Sequence, residues 1–124
     1  MTGARLTLVL AALFALGPAP VHADGNVEHG RTLAQLHCSR CHVVGTYNPS
    51  GGIGSTPSLQ LLVNAFDDWE ARFETFFVRR PHPAFVTVKG YPRHTELPPN
   101  AAPVTIEIEE VQDLLAFVAT LKSK

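Results

Sequence analysis

Apolar and small residues recur at helical spacing in four stretches of the chain, and Gly- and Pro-rich segments separate them. The first stretch spans residues 26–38. Asn26 is a suitable N-cap, Glu28 favours the first turn, and Val27, Gly30, Leu33, Ala34 and Cys38 approximate one face. Residues 45–57 are crowded with Gly, Pro, Ser and Asn and read as a loop. Ser58 then caps a short helix over residues 59–66, and Asp67 or Asp68 caps another through Trp69, Phe73, Phe76 and Phe77 to about Arg79. Six prolines make residues 81–104 mostly non-helical, with 84–88 either extended or irregular. Thr105 is expected to cap a last helix with a stripe of Ile108, Val111, Leu114, Leu115, Val118 and Leu121. Its acidic residues crowd the first half and its lysines the end, which suits the helix dipole. The pattern predicts an all-α domain of about four helices with long loops. Such loops in a small domain usually serve a function or wrap around something.

The N-terminus differs in kind. Arg5 precedes an apolar run over residues 6–16, Gly17, Pro18 and Pro20 interrupt it, and Val21-His22-Ala23 offers small residues for cleavage. That order is the pattern of a secretory signal, and a run of about 11 residues is short of the roughly 20 that span a bilayer. Residues 1–23 are therefore expected to be removed, leaving residues 24–124 as one domain, exported to the periplasm, with no transmembrane segment. The 124-residue chain has a formal charge of −1, and losing Arg5 makes it −2. This balance disfavours a nucleic-acid binder, whose affinity comes largely from cationic side chains on phosphates. With 45% hydrophobic and 17% charged residues, wholesale disorder is disfavoured as well.

The chain has two cysteines, both in Cys38-Ser39-Arg40-Cys41-His42. Two cysteines three apart place their sulfurs on one side of a helical turn, where each can form a thioether with one of a porphyrin's two vinyl groups. The adjacent His42 can then offer a ring nitrogen to iron. This spacing is the signature of covalent attachment of one haem c. A structural zinc site needs four ligands, normally from a second Cys or His pair, and His82 and His94 do not form one. A redox disulfide normally belongs to a βαβ setting that this helical pattern lacks.

Together with Gly30-Arg31 and Leu33-Ala34 ahead of the motif, Thr56-Pro57-Ser58-Leu59 after it, and Leu97-Pro98-Pro99-Asn100 before the last helix, the chain resembles the class I cytochrome c family. The resemblance covers essentially all of residues 26–122. It implies a fold wrapped around one covalently bound haem, held by Cys38, Cys41 and His42, and electron transfer with a transient redox partner. It also implies that Gly30 and Phe117 meet where the first and last helices cross. A proline carbonyl, that of Pro57 or Pro49, would accept a hydrogen bond from His42. Trp69 would either reach a haem propionate or simply fill the core.

One position departs from the family. Where the family usually supplies a methionine as sixth iron ligand, this chain has Leu97, and its one methionine is Met1 in the leader. Three arrangements stay open. His94 can be the distal ligand, or His82 can, with His94 closer in sequence to the family's position. Otherwise Leu97 and its neighbours form a lid over a five-coordinate iron. Replacing methionine or leaving the position open lowers the expected potential. The first function class is an electron carrier rather than an enzyme, with Arg72, Arg79, Arg80, Lys89 and Arg93 as a basic segment able to steer an acidic partner. The alternatives are a five-coordinate haem sensor or gas-binding protein, the haem subunit of a larger oxidoreductase, or a domain kept for assembly.

Overall fold

The computed structural model describes residues 25–92 and 102–123. The leader, with its expected cleavage site, and the positions Arg93, His94 and Leu97 lie outside the described residues.

Helix α1 (Val27–Leu33) starts where Asn26 accepts a hydrogen bond from the backbone N–H of His29 at 3.0 Å. It continues as a π turn over Ala34–Cys38, in which the Ser39 N–H reaches back five residues to the Ala34 carbonyl. Helix α2 (Leu59–Ala65) is capped by Ser58, whose hydroxyl accepts from the Leu61 N–H. Helix α3 covers Trp69–Glu74, and α4 covers Ile108–Ala119. With four α-helices and little strand among the described residues, the chain has the all-α architecture that its apolar pattern predicts.

Two helix limits differ from expectation. The third helix stops at Glu74 instead of running to Arg79, and a 3₁₀ turn (Phe76–Val78) follows. The Thr75 hydroxyl donates back to the Ala71 carbonyl at 2.6 Å, the kind of competing local bond that disturbs a helix end. Asp68 occupies the cap position, yet its carboxylate is drawn sideways onto Arg72, 2.7 Å away. That guanidinium holds the Asp68 carboxyl below its ordinary pKa.

Thr105 does not cap the last helix. It lies in β2 (Val104–Ile106), which pairs in parallel with β1 (Val86–Val88), in register Val86 with Val104 and Val88 with Ile106. The β-branched run Val-Thr-Ile fits a strand better than a cap. The cap is Glu107, whose N–H donates to the Glu110 carboxylate at 2.8 Å. In the 84–88 segment the strand begins only at Val86, because His82–Ala84 forms a 3₁₀ turn.

The core lies between α4 and the other elements. Val111, Leu114, Phe117 and Val118 of α4 are buried together with Leu33 and Ala34 of the first helix and Leu59, Val63 and Trp69 of the next two. The α1–α4 crossing is close enough that a Cβ on Gly30 would sit on the Asp113 carbonyl. Phe117, one helical turn further on, is 2% exposed, and the Arg31 guanidinium lies over its ring. The Asp113 carboxylate also accepts from the Asn26 N–H and from His29 Nδ1, each at 2.6 Å. At the other end of α4, the Asn64 amide donates to the Leu121 carbonyl while its oxygen accepts from the Ser123 N–H. Among the described residues, no helix is long and apolar enough to cross a membrane.

Candidate haem site

The π turn ends at Cys38, and one short turn carries the rest of the motif. The Cys38 carbonyl accepts from the N–H groups of both Cys41 and His42, at 3.1 and 2.9 Å. Both thiols are free, Cys38 half-buried and Cys41 exposed. Burial, reinforced by Cys41 beside it, pushes the Cys38 thiol up to about 12.

The loop after the motif is laced onto it. Asn48 Oδ1 accepts from the Val44 N–H at 2.7 Å, and its amide donates to the carbonyls of His42 and Ser39 at 3.0 and 3.2 Å. One side chain thus satisfies three backbone groups around the motif. Gly51 leaves room for it, since a Cβ there would come within 2.7 Å of the Asn48 amide nitrogen. Further along, Ile53 N–H donates to the Cys41 carbonyl and Leu59 N–H to that of Val43. Asn48 escaped the sequence reading, in which it was one more polar residue of a loop. Its position before Pro49-Ser50-Gly51 marks a turn, but nothing local names its three partners.

His42 is oriented by this loop. Its Nδ1 lies 2.6 Å from the Pro57 carbonyl oxygen, so Nδ1–H donates and Nε2 carries the free lone pair. Pro57, not Pro49, makes this contact. A second imidazole belongs to His82, whose Nδ1 lies 3.1 Å from the Arg79 carbonyl. The His82 and His42 ring centres are 6.1 Å apart, with planes within 7° of parallel. Phe76 stands perpendicular to His82 at 5.2 Å. Burial lowers the His82 pKa by disfavouring the charged ring.

Trp69 is 8% exposed in the core, edge-on to Phe73 and with the Lys122 ammonium 5.7 Å from its ring centre. Of the basic segment, Arg72 pairs with Asp68 and Lys89 with Glu107, whereas Arg79 and Arg80 are exposed beside His82 in sequence. No group of three or more His, Cys, Asp or Glu side chains gathers among the described residues in a way that would hold a metal ion by itself. The donor set instead fits haem, with two unpaired thiols three apart and an adjacent imidazole whose Nδ1 is tied and whose Nε2 is free.

The family model described as cytochrome c matches residues 27–122. The chain belongs to the cytochrome c family. It is a class I cytochrome c, the family of haem-binding electron-transfer proteins, and both helical ends of the fold lie within the match. No curated protein and no solved structure matches the chain.

Proposed function

We propose that this cytochrome is an exported, monohaem electron carrier that passes single electrons to and from a protein partner. The observation that carries this reading is the arrangement at Cys38, Cys41 and His42, with Nδ1 of His42 committed to the Pro57 carbonyl. Cys38 and Cys41 would hold haem c through two thioethers, each thiol S–H adding across one vinyl group. When bound, haem supplies an iron that gains and loses one electron. His42 would be the proximal ligand, offering Nε2. The Pro57 carbonyl fixes its tautomer and makes Nε2 a better donor. The Asn48 bonds tie the carbonyls of the motif to the loop that follows it. Membership of the cytochrome c family supports the role of a carrier rather than an enzyme.

The leader pattern of residues 1–23 supports export to the periplasm, with the mature chain starting at Asp24. Arg79 and Arg80 give the His82 side of the molecule a positive charge suited to a partner with an acidic surface. Expression in a bacterial host with cytochrome-maturation machinery tests the reading. The periplasmic fraction should contain a chain beginning at Asp24 whose haem survives denaturing electrophoresis. Cys38→Ala and Cys41→Ala together should abolish that covalent haem. A chain without attached haem, or one retained uncleaved in the cytoplasm, would contradict it.

A further inference from the structure

We infer that His82 is the sixth ligand, so that the iron is held between two imidazoles, His42 and His82. The inference rests on the haem-binding reading above and deepens it.

The first support is distance. An imidazole nitrogen binds a first-row metal at about 2.0–2.1 Å, so the centres of two imidazoles on opposite sides of one ion lie a little over about 6 Å apart. The His42 and His82 rings are 6.1 Å apart at their centres. The second support is the shared tautomer. In each ring Nδ1 faces a backbone carbonyl, Pro57 for His42 and Arg79 for His82, and in each ring Nε2 is left as the donor. The third is rigidity. His82 N–H donates to the Arg79 carbonyl at 3.0 Å, its own carbonyl accepts from the Phe85 N–H at 2.8 Å, and the next residue but three opens β1. The Phe76 ring stands edge-on against the imidazole, and Pro83, next in the turn, is buried. A solvated histidine on a loop has none of these restraints. His29, by contrast, is committed to Asp113.

The near-parallel ring planes add a spectroscopic consequence. Parallel axial imidazoles give ferric haem a rhombic low-spin EPR signal, whereas perpendicular ones give a highly anisotropic one. The oxidised wild-type protein should therefore be six-coordinate and low-spin, with the rhombic signal and a near-infrared magnetic circular dichroism band of two nitrogen ligands. Its reduced form should resist carbon monoxide. His82→Ala should become high-spin and bind carbon monoxide readily, and added imidazole should restore the low-spin spectrum. His94→Ala should keep the wild-type spectrum. If His82→Ala does not accumulate, the wild-type and His94→Ala spectra still decide the matter. Covalent haem with a five-coordinate wild-type spectrum, or loss of the low-spin signal in His94→Ala alone, overturns the His82 assignment and leaves the haem reading intact. Absence of covalent haem overturns both.

Discussion

Asn48 shows how much of the site depends on a residue with no chemistry of its own. Its three bonds join the carbonyls of Ser39 and His42 to the N–H of Val44. Asn48→Ala leaves these groups without partners and should destabilise the holoprotein by roughly 1–3 kcal/mol. Urea unfolding followed by circular dichroism would measure this, and an unchanged midpoint would count against the bracing role. At this scale the sequence is legible where chemistry is local. Cys38, Cys41 and His42 are recognisable because attachment to one porphyrin demands their spacing. Pro57 is less so, since Pro49 also follows the motif and only the folded loop separates them. Nearness to Leu97 in sequence favours His94 over His82, yet the imidazole beside His42 is that of His82, because this is a matter of tertiary placement.

Among the elements, the α1–α4 crossing carries the sharpest requirement. A methyl group on Gly30 would occupy the position of the Asp113 carbonyl, which is backbone and cannot swing aside. Gly30→Ala should cost about 3 kcal/mol, the upper part of the range for overpacking, despite the better helix propensity of alanine. Thermal or denaturant unfolding measures it, and a neutral result would mean that the helices separate easily there. Caps at Asn26 and Ser58 were readable because their bonds close within three residues. The β1–β2 pair was not. Its strands are three residues each and pair across an intervening segment, so that although 84–88 reads as extended or irregular, its partner at 104–106 has too little alternation to register. The same long-range pairing removed Thr105 from the helix and left Glu107 to cap it.

For the whole molecule, a chain with this much loop needs a centre to wrap around, and covalently tied haem would supply a large apolar one. The charge layout bears on its traffic. With Arg72 and Lys89 paired internally, Arg79 and Arg80 dominate the free positive charge of the described part of the basic segment, residues 72–92. Electron transfer to an acidic partner should slow as ionic strength rises from about 0.01 M, where charges act over roughly 30 Å, to about 0.15 M, where screening shortens this to about 8 Å. Stopped-flow reduction by such a partner would check it, and a salt-independent rate would remove the role assigned to the two arginines.

The most direct test of the account is an optical redox titration of the holoprotein. Two imidazole ligands lack the methionine that raises the potential of the usual His/Met site. The holoprotein should show one reversible, single-electron transition, at a potential well below that of His/Met cytochromes. A high potential typical of His/Met ligation, or no reversible one-electron transition, would contradict it.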